Sequence, residues 1–493
     1  MNLNLIAAIL STMSLTAGAA LTAPFLLAVY YEEPMGGADF LLVMFICLVL
    51  SFELKRRGRY IDTETTTLSV REGIAITGLG WILMSLLGML PYLFSGYMSP
   101  LDCFVESVSG FSGTGATVIE DVEALPRSIL LWRSLTNWIG GLGIIVIFMA
   151  ILPQMGRGAM YMFRAESSGP TKDRQLPRIK DNAKALFLIY VVFTASCAIV
   201  YMLCGLGWFS ALNHALTTIA TGGFSIYNDG ITVYANPALE FCMAFFMIIS
   251  SASFAMYVVA WRQGVHVIWQ NTEFRVYLMV VAGASALIAL DLYVEMGLES
   301  WDVSTWDVVR YAMFHVASIS STTAFVTYDF DVWPAFSKCI LLLLMFMGGC
   351  AGSTSGGLKI SRMVLLVKMV QSVVWQKLHP QIVYQVRMNG RVVPEEVLFS
   401  VARFFFAYMM VDMAFATVLI FDGVSMTEAV NVAVSTLGSV GPGFGLEGAM
   451  STYALLSPTS KVFACVVMFL GRLEIFTVVA LFTPEFWSRK KGW

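Results

Sequence analysis

Long apolar segments dominate this chain of 493 residues and restrict what it can fold into. A membrane-spanning helix needs roughly 20 predominantly apolar residues. Ten segments qualify: 5–31, 39–53, 73–96, 128–152, 183–206, 237–261, 276–297, 335–347 continuing as 358–375, 396–421 and 459–483. Only 13% of the residues are charged, whereas soluble proteins carry roughly a quarter. The sequence therefore predicts an all-α integral membrane protein with ten transmembrane spans.

Four apolar segments are too short to cross a bilayer and are predicted to be re-entrant helices: 100–113, 208–220, 305–321 and 426–438. A loop of small residues, here called a pore loop, follows each of them. The pore loops are Thr114–Thr117, Thr221–Ser225, Thr322–Phe325 and Ser439–Gly443. Their equivalent residues Gly115, Gly223, Ala324 and Gly441 are separated by 108, 101 and 117 positions.

This order of apolar run, short helix, pore loop and apolar run occurs four times. It predicts helix–pore loop–helix repeats arranged around a central pore with pseudo-fourfold symmetry. The expected units are two N-terminal transmembrane helices (1–72), followed by pore repeats 1 (73–180), 2 (181–272), 3 (273–392) and 4 (393–493).

Small residues in such loops suit a dehydrated cation, because rings of backbone carbonyls can replace its water. Glycine lets successive carbonyls turn inward, and each short helix directs the negative end of its dipole at its loop. The expected ion-binding residues are Gly113, Thr114 and Gly115, Thr221, Gly222 and Gly223, Thr322, Thr323 and Ala324, and Ser439, Val440 and Gly441. The alternative is four tight turns that bind no ion.

The eighth apolar segment is interrupted by five glycines within residues 348–357, here called the gating segment. A glycine in a helix costs roughly 1 kcal/mol relative to alanine, so an irregular stretch in mid-membrane is predicted. We interpret it as a gate below the pore loops, formed by Gly348, Gly349, Gly352, Ser353, Thr354, Gly356 and Gly357 with the nearby Lys359. A flexible kink is the alternative. A nucleotide-binding loop is excluded, because no Gly-Lys-Ser/Thr follows.

Arg472 lies within the tenth apolar segment, where a charge costs roughly 2.5–3.5 kcal/mol. We expect it to face the pore below the loops as an electrostatic barrier; the alternative is a buried pair with Glu474. For the other intramembrane polar residues, Arg133, Asn137, Arg403 and Asp412, interhelix structural roles are favoured. His214 and His315 share one register position in the short helices and are expected to pack there rather than to sense pH.

Basic residues follow the even-numbered spans, whereas the opposite loops are acidic. The positive-inside rule then places both termini in the cytoplasm and the pore loops on the outer side. Residues 5–31 are expected to be a retained helix, because no basic residue precedes them.

A net charge of −3 disfavours a nucleic-acid partner, and eight cysteines without a CxxC or Cys/His cluster predict neither a disulfide framework nor a zinc site.

In several stretches, which follow one another in the family's order, the chain resembles the membrane subunit of bacterial Trk-type potassium uptake systems (TrkH-like), within the Trk/Ktr/HKT superfamily. The stretches are 113–117, 138–144, 164–166, 219–225, 348–354, 441–443, 471–474 and 481–484. The resemblance implies a homodimer that is embedded in the lipid of the bacterial cytoplasmic membrane. It implies two extra N-terminal helices and a TrkA-like cytoplasmic regulatory subunit that binds nucleotides and NAD. Potassium is the implied transported ion, with no organic cofactor in this chain and no enzymatic activity.

One departure from the family pattern concerns the third pore loop, where Ala324 stands in place of a filter glycine. A sodium-permeable or weakly selective monovalent cation transporter therefore remains an alternative. A second is a secondary transporter with broken helices, although the pore loops recur four times and only the eighth segment is plainly interrupted. An intramembrane hydrolase using Ser353 or Ser112 has no suitably placed histidine or acidic pair to support it.

Overall fold

The structure is a computed structural model that describes residues 1–33, 36–58, 69–141, 143, 179–295, 304–381, 385–445 and 452–487. The N-terminal half of the described chain contains α1 Leu3–Ala20, α2 Thr22–Tyr30, α3 Gly36–Arg57, α4 Val70–Gly88, α5 Leu90–Ser95, α6 Pro100–Ser112, α7 Arg127–Gly141, α8 Ile179–Leu203, α9 Trp208–Ala220, α10 Pro237–Ser250, α11 Phe254–Gln263 and α12 His266–Gln270. The remainder contains α13 Thr272–Glu295, α14 Thr305–Ser320, α15 Ala335–Met347, α16 Ile360–Leu378, α17 Glu395–Phe421, α18 Met426–Gly438, α19 Pro458–Leu473, α20 Ile475–Leu481 and α21 Pro484–Trp487. A small antiparallel hairpin, β1 Arg387–Met388 with β2 Arg391–Val392, is the one departure from an all-helical fold in the described residues.

Several helices are long and apolar enough to cross a membrane. In the described ranges six qualify: Leu3–Tyr30, Gly36–Arg57, Val70–Ser95, Ala183–Leu203, Thr272–Glu295 and Glu395–Phe421. The bent pair α10 and α11 would make a seventh. The predicted fourth span, 128–152, and the end of the seventh, 276–297, extend beyond the described ranges, and the motif 164–166 lies outside them. The predicted boundary at residue 180 falls in the first turn of α8.

The prediction of one continuous helix for the sixth span, 237–261, is wrong. It divides into α10 and α11, which meet at 87°. Four consecutive small residues, Ser250-Ser251-Ala252-Ser253, form the break. The hydroxyl of Ser250 donates to Phe246 O (2.7 Å) and that of Ser251 to Met247 O (3.0 Å). Such side-chain bonds compete with the helical backbone pattern and favour a bend.

The predicted tenth span, 459–483, is also broken. Glu474 has a φ of 62° between α19 and α20, which ends the first helix and starts the second. The eighth segment is interrupted where the glycines predicted it, since α15 ends at Met347 and α16 begins at Ile360. The expectation that the eighth segment alone is plainly broken is therefore wrong.

The four short helices α6, α9, α14 and α18 lie close to the predicted bounds. Three of them begin at a serine whose hydroxyl accepts the main-chain N–H of an acidic residue in the first turn: Ser99 from Asp102, Ser304 from Asp307 and Ser425 from Glu428. The carboxylate in the first turn also complements the helix dipole. The fourth, α9, begins at Gly207 without a side-chain cap.

Hydrogen bonds on the side of the pore loops that carries the acidic residues join each repeat to the next. They run from Val122 N to Asn228 Oδ1 (2.7 Å), Ile231 N to Val326 O (3.1 Å), Gly445 N to Asp331 Oδ2 (3.1 Å) and Tyr453 N to Thr117 O (2.8 Å). These link repeat 1 to 2, 2 to 3, 3 to 4 and 4 to 1. The segments that follow the four pore loops therefore form a closed ring.

The N-terminal helices flank the first repeat rather than the ring as a whole. Ser14 Oγ donates to Cys47 O and Ser51 Oγ to Ser11 O, each at 2.8 Å, so α1 and α3 are held together by two buried hydrogen bonds. Helix α1 then packs against α4, and α2 against α7. Bonds of this kind let two apolar helices associate in lipid, where hydrophobic burial between them supplies little.

A fully buried ion pair, Glu106 with Arg133, lies behind the first and second pore loops. Arg133 Nε is 2.5 Å from Glu106 Oε1, and Arg133 Nη1 donates to Ser225 O at 2.7 Å. Glu106 also accepts the main-chain N–H of Val118 at 3.0 Å, and the guanidinium lies 3.7 Å from the ring centroid of Phe224. The structural role predicted for Arg133 fits these contacts.

The other predicted interhelix residues behave differently. Arg403 is exposed and donates to Phe399 O of its own helix, so the interhelix role predicted for it is wrong. Asn137 is buried, and a Cβ built on Gly222 would lie 2.5 Å from its amide. Asp412 is buried in α17, and its Oδ1 has no hydrogen-bond partner among the described residues.

Replacing Arg133 with methionine should destabilise the protein, because it leaves the carboxylate of Glu106 buried and unpaired. Removing one partner of a buried ion pair typically costs about 3–5 kcal/mol. The double variant Glu106→Gln/Arg133→Met should regain part of that loss. Thermal unfolding of the detergent-purified variants measures both effects, and Arg403→Met is the exposed control. Equal unfolding temperatures for Arg133→Met and Arg403→Met would contradict a stabilising role for the pair.

Candidate functional site

The four short helices end in the same way. Each helix C-terminus is closed by one i→i−3 main-chain bond, from Gly113 N to Gly110 O, Thr221 N to Thr218 O, Thr322 N to Ile319 O and Ser439 N to Thr436 O. The next N–H reaches back five residues, from Thr114 to Ser109, Gly222 to Thr217, Thr323 to Ser318 and Val440 to Ser435. A repeat that is weak in sequence is therefore consistent in backbone structure.

The predicted ion-binding residues share an unusual backbone conformation. The first residue of each triplet is left-handed, with φ of 73° at Gly113, 52° at Thr221, 57° at Thr322 and 54° at Ser439. The third is left-handed too, with φ of 75° at Gly115, 71° at Gly223, 59° at Ala324 and 99° at Gly441. The middle residues are outside this region. Alternation of this kind lets successive carbonyls turn to one side of the chain.

The pore loops also touch one another. A Cβ built on Gly115 would lie 2.2 Å from Gly222 O, one on Gly223 2.0 Å from Thr323 O, and one on Gly441 2.5 Å from Thr114 O. No side chain fits at these three positions. Loop 1 thus contacts loops 2 and 4, and loop 2 contacts loop 3, so the four loops surround a common axis.

A cavity lies on each side of the loops. The cavity on the side of the acidic segments, here called outer after the predicted orientation, has a volume of about 130 Å³ and is lined by the third residue of every triplet: Gly115, Gly223, Ala324 and Gly441. The inner cavity, of about 120 Å³, is lined by Gly352 to Gly357 of the gating segment together with Lys359 and Arg472. The loops therefore separate an outer space from an inner one.

The gating segment is bound to the bend in the sixth apolar segment. Cys350 N donates to Ser251 O at 2.9 Å, and Phe254 N donates to Gly352 O at 3.0 Å. Thr354 Oγ1 lies 3.2 Å from Ser250 O. The break between α10 and α11 therefore exposes main-chain groups that the gating segment satisfies.

The same segment reaches the inner ends of three short helices. Thr354 Oγ1 donates to Ile219 O of α9 at 3.1 Å, and Gly356 N donates to Thr322 Oγ1 at 2.8 Å, just beyond α14. A Cβ built on Gly356 would lie 2.1 Å from Gly438 O at the end of α18. The segment therefore lies across the inner side of loops 2, 3 and 4.

Arg472 joins this segment to repeat 1. Its Nη1 donates to Thr354 O at 2.9 Å, and its Nη2 donates to Gly141 O at 2.6 Å, at the end of α7. Glu474 pairs with Arg362 instead, so the alternative of an Arg472–Glu474 pair is wrong. The guanidinium is directed at main-chain carbonyls and at the inner cavity.

Glu273, which sequence analysis overlooked, binds both the gating segment and the start of α16, the helix that follows it. Its Oε1 accepts from Ala351 N at 2.7 Å and from Ser361 N at 3.0 Å. Lys359, buried and left-handed with a φ of 79°, donates from Nζ to Ser355 O. The sequence signal that could have pointed to Glu273 was an acidic residue at the start of an apolar helix. An ordinary carboxylate in the first turn of a helix gives the same signal.

The two histidines of the short helices, His214 and His315, are buried and hydrogen-bonded to other residues. Both ring nitrogens of His315 lie 2.9 Å from carbonyl oxygens, those of Tyr311 and Tyr328, whereas His214 Nε2 lies 3.2 Å from the hydroxyl of Tyr234. These contacts fit the packing role predicted for them. Glu106 occupies the equivalent position in the first repeat.

The outer cavity has an acidic rim. Asn228, which lines it, donates from Nδ2 to Asp121 Oδ1 at 2.9 Å. This hydrogen bond holds the pKa of Asp121 below its usual value, so its carboxylate stays ionised. A fixed negative charge near the cavity attracts cations.

Comparison with known proteins identifies the family. A family model described as TrkH, cation transport protein, matches residues 41–489. The Trk system potassium uptake proteins TrkH of Halomonas elongata and of Escherichia coli K12 are both 36% identical, over 99% and 94% of this chain and 100% and 95% of theirs. The crystal structure of the potassium transporter TrkH from Vibrio parahaemolyticus superposes with a TM-score of 0.87, at 33% identity over 99% of this chain and 100% of that one. The chain therefore belongs to the TrkH family of cation transport proteins and is a transporter, not an enzyme.

Proposed function

We propose that this chain mediates potassium uptake across the bacterial cytoplasmic membrane, through a filter of main-chain carbonyls formed by the four pore loops. One observation carries the proposal. The four loops are in mutual contact, and in each of them the first and third residues of the triplet are left-handed. The relatives named as potassium uptake proteins support the choice of ion.

In this proposal the ion is bound by the triplets Gly113–Gly115, Thr221–Gly223, Thr322–Ala324 and Ser439–Gly441. Carbonyl rings replace the hydration shell without a charged side chain. The helices α6, α9, α14 and α18 end at these loops, so four negative dipole ends face the ion.

The gating segment closes the pathway in the same proposal. It lies across the inner side of three loops, held by Thr354, Gly356 and the carboxylate of Glu273. Its glycines allow a close approach that side chains would prevent: a Cβ on Gly348 would lie 2.2 Å from Gly356 O. Arg472 places a positive charge beside it, which repels a cation leaving the filter and limits leak.

The wider assembly follows from the same family membership. We infer ten transmembrane spans, both termini in the cytoplasm, a homodimer surrounded by membrane lipid, and control by a TrkA-like cytoplasmic subunit that binds nucleotides and NAD. The basic residues of the predicted inner loops and the acidic residues of the outer ones support this orientation.

The reversal potential of the purified protein in planar bilayers, under opposed potassium and sodium gradients, tests the proposed function. A value close to the potassium equilibrium potential is expected. A value at the sodium potential would favour the sodium-permeable alternative. Saturable uptake of an organic solute without ion current would favour a secondary transporter.

Replacing Ala324 with glycine should sharpen the discrimination of potassium over sodium. Alanine in a left-handed conformation is disfavoured by roughly 1–2 kcal/mol, and this residue has a φ of 59° next to the predicted ion path. Glycine would relieve that strain and let the third loop match the other three. Relative permeability is measured by ion replacement in the same bilayers.

Ala235→Gly is the matched control, since Ala235 is also left-handed, with a φ of 44°, but lies in an exposed segment away from the loops. It should leave the permeability ratio unchanged. If the ratio is the same in Ala324→Gly and in the unmodified protein, the proposed effect of the alanine is refuted.

Replacing Glu273 with alanine should release the gating segment and raise rubidium flux into proteoliposomes that lack the regulatory subunit. The change leaves two main-chain donors, the half-buried Ala351 N and the buried Ser361 N, without their acceptor. A buried unsatisfied group costs roughly 1–3 kcal/mol. Glu273→Gln keeps an acceptor oxygen and should retain most of the closure.

Asp291→Ala is the control variant. Asp291 is also a carboxylate that accepts a main-chain hydrogen bond, but it does not bind the gating segment. Asp291 Oδ2 accepts from Ser337 N at 3.0 Å, in the first turn of α15, whereas the gating segment follows the other end of that helix. Its loss should reduce thermal stability without raising the flux. Equal flux in folded Glu273→Ala and Asp291→Ala would show that Glu273 does not hold the gate.

A further inference from the structure

Two cysteines of repeat 2 lie next to each other although 38 positions separate them. Cys204 follows the last residue of α8, and Cys242 lies in the second turn of α10. Their sulfur atoms are 3.7 Å apart, and both residues are partly exposed. The absence of a CxxC motif led the sequence analysis to expect no disulfide, because spacing does not reveal contacts between distant helices.

Asn236 fixes the positions of the two helix ends that carry these thiols. Its Nδ2 donates to Cys204 O at 2.8 Å, and its Oδ1 accepts from Ala238 N at 3.1 Å, which caps α10. One side chain therefore holds the end of α8 against the start of α10.

The pair lies at the end of repeat 2 that carries acidic rather than basic residues. Lys184 is near the opposite end of α8, whereas Asp229 and Glu240 are on the side of the cysteines. In the orientation proposed above, that side faces the periplasm, where disulfides form and persist. The inference rests on this orientation in addition to the distance.

We propose that Cys204 and Cys242 form a disulfide in the protein as it stands in the cell envelope. A disulfide bond is about 2.05 Å long, so the sulfurs would need to approach by about 1.7 Å. The reaction is thiol–disulfide exchange with an oxidising disulfide, such as that of a periplasmic dithiol oxidase.

The exchange balances in two steps. The thiolate of one cysteine attacks the external disulfide, forms a mixed disulfide and expels one thiolate of the oxidase. The thiolate of the second cysteine then attacks the mixed disulfide, forms the Cys204–Cys242 bond and expels the other. Two protons and two electrons leave the pair, and the oxidase is released as a dithiol.

The bond would enclose the whole of α9 and pore loop 2 in a covalent ring. It would tie together the outer ends of the two membrane helices that flank this loop. A crosslink across a long loop restricts the unfolded chain, so the oxidised protein should unfold at a higher temperature than the reduced one.

Alkylation of the full-length protein in acid-quenched cells tests the proposal. The acid protonates the thiols and stops disulfide exchange, and N-ethylmaleimide is then added in a neutral denaturing buffer to block the thiols before they can oxidise. The purified protein is digested with trypsin. Lysine and arginine are absent between Lys184 and Arg262, so one fragment carries Cys197, Cys204 and Cys242. That fragment should carry one maleimide without reduction and three when the cells are reduced first. Three maleimides without reduction would overturn the proposal.

Variants separate the pair from the other thiols. Cys204→Ser and Cys242→Ser should each leave two reactive thiols in the fragment, whereas Cys197→Ser should leave none without reduction. Cys339 is exposed at the outer end of α15, and its labelling by a membrane-impermeant maleimide in spheroplasts reports orientation independently. A labelled Cys339 with a reduced Cys204–Cys242 pair refutes the disulfide and leaves the proposed orientation intact. A protected Cys339 that reacts only after permeabilisation refutes the orientation itself.

Discussion

Every main-chain N–H and C=O within a bilayer must find a partner inside the protein, and the rest of this structure depends on that constraint. The chain departs from helix at membrane depth in the four pore loops, the gating segment, the α10–α11 bend and Glu474. Two of these departures, the bend and the gating segment, satisfy each other. Cys350 N of the gating segment donates to Ser251 O of the bend, and Phe254 N donates to Gly352 O. Arg472 Nη1 donates to Thr354 O. The bend, the gating segment and the side chain of Arg472 are thus joined by hydrogen bonds.

The four repeats agree in backbone but differ in the side chains that support it. At the start of the aligned register stand Glu106, His214, His315 and Val432. Glu106 pairs with Arg133 and His315 bonds two carbonyls, whereas Val432 packs in an apolar cluster with Ala429. Equal loop geometry is therefore reached through unequal support, which explains why the internal repeat is so weak in sequence.

Local pattern was sufficient for much of this fold. Apolar length, serine caps and clustered glycines located the short helices, the pore loops and the break after Met347, because each of these depends on neighbours in sequence. Contacts between distant segments could not be read in this way. The bend at Ser250–Ser253 is stabilised by the gating segment, Glu474 pairs with Arg362 from another repeat, and Cys204 meets Cys242 only after two helices have packed.

The position of Arg472 joins the two proposed obstacles to the ion, the gating segment and the positive charge beside it. Its guanidinium is anchored at once to Gly141 O of the first repeat and to Thr354 O in the glycine-rich stretch. Withdrawal of that stretch removes one of the anchors, so the side chain gains freedom to swing away from the axis. Steric blockage and charge repulsion would then fall in a single movement, and conductance would rise more steeply with displacement than either change alone would allow.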